Sequence, residues 1–308
     1  MRAFIAAALL ALVLVAGAAG RAERAPIELG VLGNAERFAA QTGQQSTVRH
    51  VIMSWTQAAS IPQLLQRLTP VPMLGITTEA AAITPLEIAQ GKGDAFLLAL
   101  NAALADFGRL VYVRPLPEMN GHWTGYCAFT ASGSSKGPRY STAAFRKAFA
   151  RIFLLAHGGT AAALDAKLRR LGMPSVAQDL PRTKVRVVWN PQGYGSPDIA
   201  ANSAQAYYPG DAYVDVVAND LYDQRFNAAW DANDRLYAAH PGKPYAIAEW
   251  GLWGIDDPPF VERMATFIRT HSRIKFIAYF SGGADSPWDL ATKPRSRAAY
   301  RRVITPLG

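Results

Sequence analysis

Short apolar runs recur along the chain, each bounded by polar or turn-forming residues. They alternate with stretches whose apolar residues fall at helical spacing. Eight runs read as strands: Ile27 to Leu32, Val48 to Ser54, Val71 to Ile76, Leu110 to Arg114, Val185 to Trp189, Val214 to Asn219, Tyr245 to Glu249 and Phe276 to Phe280. They are continuously apolar rather than alternating, as expected of strands covered on both faces. Helical patterns fill the gaps at Ile61 to Leu68, Asp94 to Phe107, Thr142 to Leu155, Ala161 to Leu171, Asn227 to Ala239 and Pro259 to His271. In the second of these, Phe96, Leu97, Leu100 and Leu104 share one face. Breaks fall at Gly158-Gly159 and Gly172-Met173-Pro174.

This β/α rhythm predicts an α/β chain, a (β/α)8 TIM barrel built as a single domain over residues 27–308. No linker interrupts it. Ahead of it, Met1-Arg2 is a short basic start and Ala3 to Ala16 an apolar run, followed by small residues at Ala16 to Gly20. That order reads as an N-terminal signal peptide over residues 1–22, with export to the periplasm, cell envelope or medium as its consequence. A retained anchor is the competing reading, but the run has about 14 residues and a bilayer span needs ~20. No later segment reads as a membrane span, and a monomer is expected.

The formal charge of +9 allows attraction to anionic partners. The basic residues are scattered over what read as solvated helix faces, such as Lys167 to Arg170 and Lys293 to Arg302. No motif reads bases, so no nucleic-acid partner is expected. The single cysteine, Cys127, sits among Tyr126, Ala128 and Phe129 and reads as a packed thiol. His50, His157, His240 and His271 lack metal-ligand spacing, and no phosphate-binding loop is present, so neither a metal nor a cofactor is expected.

Two glutamates stand at strand ends. The fourth strand runs out through Arg114-Pro115-Leu116-Pro117-Glu118-Met119-Asn120-Gly121, and the seventh closes on Ala248-Glu249-Trp250-Gly251. Chemistry in such barrels sits at the carboxyl ends of the strands. Strands four and seven face each other across the mouth, so Glu118 and Glu249 could flank one sugar. Glycoside cleavage needs two carboxyl groups, one protonated and one ionised, and a separation of ~5 Å goes with a retained anomeric configuration. Arg114, expected inside the barrel below Glu118, and Asn120 would hold the glutamates and the sugar. Trp250, Trp253 and Trp288, with Trp123 and Tyr126, could line a cleft. Asp285 and Asp289 fit either sugar hydroxyls or turn caps.

Arg114-Pro115-Leu116-Pro117-Glu118-Met119-Asn120-Gly121-His122-Trp123 resembles the acid/base motif of glycoside hydrolase family 26, the β-mannanase family. Val187-Val188-Trp189-Asn190-Pro191 is similar to its fifth-strand segment, Asp215 to Tyr222 to its sixth, and Ala248 to Gly251 to its nucleophile strand. The resemblance extends loosely over residues 28 to 305. It implies a metal-free retaining hydrolase with Glu118 as acid/base, Glu249 as nucleophile, Tyr222 orienting Glu249 and Trp123 as a sugar platform. The substrate-binding set is then Arg114, Asn120, His122, Trp123, Asn190, Tyr222, Trp250 and Trp288.

Pro117 departs from the motif, which has histidine there, and proline carries no donor. Asn120, His122 and Asn219 are the candidates to replace it. The segment around Thr77 to Thr84 also lacks the family's aromatic and acidic cluster. The expected substrate is a β-linked polysaccharide: mannan first, then mixed-linkage β-glucan, xylan or a bacterial exopolysaccharide. The competing readings are a non-catalytic carbohydrate-binding barrel derived from a glycosidase and a basic structural protein of the envelope.

Overall fold

A computed structural model describes residues 26–308. The leader assigned to residues 1–22 lies outside the described residues. Eight parallel strands close into a barrel in sequence order, with the last paired to the first. They are β1 (Glu28–Gly33), β2 (Val48–Ser54), β3 (Val71–Thr77), β4 (Val111–Pro115), β5 (Val185–Trp189), β6 (Val216–Gln224), β7 (Tyr245–Trp253) and β8 (Ile274–Gly282). The helices are α1 (Ala35–Thr42), α2 (Ile61–Arg67), α3 (Pro85–Ala89), α4 (Asp94–Phe107), α5 (Thr142–His157), α6 (Ala161–Arg170), α7 (Trp230–Ala239), α8 (Pro258–Thr270) and α9 (Pro294–Val303).

Two apolar clusters divide along the two faces of the strands. The smaller fills the barrel interior with Val48, Met73, Tyr112, Val216, Phe276 and the alanines of β6, β7 and β8. The larger lies between strands and helices and takes the intervening residues, such as Val111 and Val113 of β4 and Ile277 and Tyr279 of β8. Burial on both faces explains the unbroken apolar runs.

Every predicted strand is present, but β6 and β7 run five and four residues past the expected ends, through Gln224 and Trp253. They stay paired above the barrel, from Asp220 opposite Glu249 to Gln224 opposite Trp253. Hydropathy misses this extension because its residues are polar where they face the mouth. The register also slips: Asn219 faces Ile247 and Asp220 faces Glu249, leaving Ala248 as an extra residue in β7. Such a bulge re-aims the side chains beyond it. Ala246 and Ala248 point into the barrel. The next residue, Glu249, points inward as well, whereas Trp250 and Leu252 join the outer core.

The paired extension sets the Asp223 carboxyl beside that of Asp257, in the loop after β7. Burial, then this neighbouring carboxyl, pushes Asp223 up to about 7, although the Asn227 N–H pulls the other way. In the unfolded chain Asp titrates near ~3.9. Between those values the folded protein holds a proton that the unfolded chain has lost, so stability falls as pH rises through the window. Asp223→Asn keeps a donor toward Asp257 without that proton. Its melting temperature is expected to exceed the wild type's at about pH 8, with the gain vanishing toward about pH 4. Thermal melts across that range check it.

Candidate active site

The route to Glu118 is strained and tightly held. Beyond β4, Leu116 and Glu118 adopt left-handed backbone conformations at φ 50° and 54°. For residues with a side chain this costs about 1–3 kcal/mol each. Surrounding bonds fix them in place: Leu116 N–H donates to the Ile76 carbonyl at 2.8 Å, and Glu118 N–H to that of Asn190 at 2.7 Å. The Tyr126 hydroxyl caps the Pro117 carbonyl at 2.6 Å. Gly121 lets the Trp123 indole fold back, since a Cβ there would lie 2.4 Å from the ring.

Glu118 accepts one bond from Trp123 Nε1 at 2.6 Å and another from the Gln192 amide. Across the mouth, Glu249 accepts from Tyr222 Oη at 2.7 Å and from the Arg114 guanidinium. The other arm of Arg114 binds Asp220, so one buried guanidinium joins β6 and β7. Arg114 thus lies inside the barrel and holds Glu249 as anticipated, but its other hydrogen bond goes to Asp220 rather than to Glu118.

The surroundings separate the carboxyls by protonation. Burial alone would raise Glu249, yet Arg114 and the Tyr222 hydroxyl outweigh it and hold Glu249 below the usual carboxylate range. Glu118 is raised, by burial first and then by the Glu249 charge, against the pull of Arg114 and the indole N–H. Asp220 lies well above its ordinary value, by burial first, with the charges of Glu249 and Glu118 adding to it against Arg114. Glu118 and Asp220 are therefore both pushed toward the protonated form, while Glu249 faces them as an anion. Burial keeps His50 neutral, down at about 3. It lies within reach of the fields of Arg114 and Glu249.

A cavity of about 850 Å³ opens above this set. Glu118, Trp123, Tyr222, Glu249, Trp253 and Trp288, all named from the sequence, line it. Arg114, Asn120, His122, Asn190 and Trp250, expected with them, do not. Trp250 is fully buried in the outer core, stacked on Tyr300, because the bulge turns it away. Asn120 is buried and braces the loop after β5, bonding the Gln192 and Tyr194 carbonyls. Asn190 is buried as well and contributes the carbonyl that holds Glu118. His122 sits outside the cavity, its Nδ1 3.0 Å from Ser196 Oγ.

Of the proposed substitutes for the missing histidine, Asn219 is also committed elsewhere, accepting from Gly193 N–H and donating to Asn233. Gln192, which sequence reasoning passed over, supplies the donor next to Glu118. Tyr194, Asp220 and Arg225 were passed over too, and all three line the cavity. Only Asp220 carried a signal, as a lone acid at the end of an apolar strand. Asp289 proves to be a cap, accepting from Ala291 N–H and pairing with Arg37. Cys127 is a buried free thiol. Among the described residues, no group of three or more His, Cys, Asp or Glu could hold a metal ion.

The model for glycosyl hydrolase family 26 matches residues 186–285, the β5 to β8 half that carries Asp220, Tyr222 and Glu249. Endoglucanase H of Acetivibrio thermocellus is 26% identical over 249 residues, covering 75% of this chain and 24% of that protein. The chain thus spans about a quarter of the length of this curated relative. A Bacillus subtilis mannanase superposes with a TM-score of 0.61 at 16% identity, over 91% of this chain and 86% of its own. A β-mannanase from a symbiotic protist of the termite Reticulitermes speratus gives 0.56 at 13%, over 91% and 86%. The sequence likeness is to family 26, and the solved structures share its barrel.

Asp220→Asn tests this neighbour's hold on Glu118. The Asp220 side chain lowers Glu118, so an amide, a poorer donor than a carboxyl, leaves Glu118 holding its proton to higher pH. The alkaline limb of the activity profile is expected to move to higher pH. A stability loss of about 1 kcal/mol should accompany this, since the amide oxygen still accepts from Arg114. An unmoved alkaline limb would reduce Asp220 to a packing partner of Arg114.

Proposed function

We propose that this chain, whose β5 to β8 half carries the family 26 likeness, is a retaining glycosidase acting on a β-linked polysaccharide. The observation that carries this reading is the protonation split across one cavity. Glu249 is held ionised by Arg114 and Tyr222, facing Glu118, which burial and the Glu249 charge push toward its protonated form. That is the state a double displacement starts from.

In the first step the Glu249 carboxylate forms a bond to the anomeric carbon, and the glycosidic oxygen leaves with the proton of Glu118. In the second, Glu118 takes a proton from water, the hydroxide adds to the anomeric carbon, and Glu249 departs as the anion. Tyr222 and Arg114 steady the negative charge on Glu249 before and after its covalent life. Trp123, Trp253 and Trp288 offer ring faces to the apolar faces of pyranose units.

β-Mannan is the first substrate to try, on the strength of the mannanase relatives, with mixed-linkage β-glucan, xylan and bacterial exopolysaccharide next. Export to the periplasm, envelope or medium is part of the proposal and rests on the residue 1–22 pattern. Among the described residues no helix is long and apolar enough to cross a membrane.

Proton NMR of the first product formed should show the β-anomer, and an initial α-anomer would sink the retaining mechanism. Glu118→Ala is expected to cut kcat by about 10²–10⁴-fold on a polysaccharide. The loss should be far smaller on a dinitrophenyl glycoside, whose leaving group needs no proton. Glu249→Ala should be inactive on both. Saccharide binding without turnover by the wild type would favour the carbohydrate-binding reading instead.

A further inference from the structure

Above the catalytic carboxyls, the cavity reaches the turn that ends β6. Asn227 N–H returns to the Gln224 carbonyl at 3.2 Å, and the two residues between, Arg225 and Phe226, both have left-handed backbones at φ 58° and 59°. A tight turn with two left-handed central residues ordinarily takes Asn-Gly. Here two large side chains occupy it, in a backbone conformation that residues with a side chain rarely adopt. The turn delivers them differently. Phe226 is 68% exposed and stands outside the cavity, while Arg225 lines it.

Arg225 is the sole lysine or arginine among the residues lining this cavity. No ion pair joins it to any described residue. The acids within the cavity are already engaged: Glu249 and Asp220 with Arg114, Glu118 with Trp123 and Gln192. Asp223, two residues away, is turned to Asp257. The guanidinium is therefore an uncommitted planar cation in an aromatic sugar cleft. A carboxylate matches its fork with two parallel hydrogen bonds, which a neutral hydroxyl cannot do. The chain's formal charge of +9 adds a long-range attraction of the same sign.

Building on the glycosidase reading, we infer that the polysaccharide accepted here is anionic. It bears carboxylate groups, as uronic residues or acidic substituents, and Arg225 binds one of them beside the sugar held over Glu249.

The test uses one polymer in two forms: a β-linked glycan bearing uronic acids, and the same glycan after reduction of its carboxyls to alcohols. Binding by calorimetry and cleavage by reducing-end release are measured on both. The wild type is expected to favour the acidic form by about tenfold or more. The preference should shrink as salt rises. In Arg225→Gln the acidic-to-reduced ratio falls to about one, and Arg225→Lys keeps part of it. A wild-type ratio near one overturns the proposal, as does a Gln variant that weakens both forms equally. Absence of binding to either polymer overturns it too. Binding that keeps the preference without cleavage of either form supports Arg225 while refuting the glycosidase reading, so the two failures are separable.

Discussion

The site depends on one buried cation. Arg114 is 1% exposed, and its guanidinium is divided between Asp220 and Glu249. A buried charge is tolerable only when paired, and loss of a partner from such a pair is strongly destabilising, by about 3–5 kcal/mol. Each member of this trio therefore holds the others in place. Arg114 keeps Glu249 ionised, and the charge on this carboxylate in turn pushes Glu118 and Asp220 toward their protonated forms. The chemical asymmetry follows from where a single positive charge lies within the barrel.

The loops above add geometry to this charge pattern. Strained backbone at Leu116 and Glu118 is held by bonds to β3 and to the segment after β5, so the acid is fixed by elements on both sides of its own strand. The indole of Trp123 serves the same carboxyl as donor while lining the cavity. Rigid placement of this kind lets a hydrogen bond act without further reorganisation when charge moves.

Much of this was legible in the sequence. Apolar runs of strand length located all eight strands, because burial on both faces leaves a strong signal. The strand ends located both glutamates, and likeness to a known motif separated their roles. The errors share a physical cause. Hydropathy carries no register, so nothing marked the extra residue in β7 that turns Trp250 out of the cavity. Nor does it report what a polar side chain binds, so Asn120 and Asn190 read as sugar contacts although both brace loops. Asp220 showed only as an acid ending an apolar strand, because its part depends on Arg114, 106 residues earlier in the chain.

The extra residue at Ala248 amounts to a change of parity. Below it, even-numbered residues of β7 face the barrel interior, as Ala246 and Ala248 do. Above it, odd-numbered ones face the mouth, with Glu249 and Trp253 lining the cavity and Gly251 lying against Tyr222 and Trp288. A strand without such a step locks its two ends together, because one alternation governs both. Here the ends are uncoupled. The base of β7 is free to answer to packing alone and the rim to chemistry alone, so substitutions accumulating in one need not disturb the phase of the other.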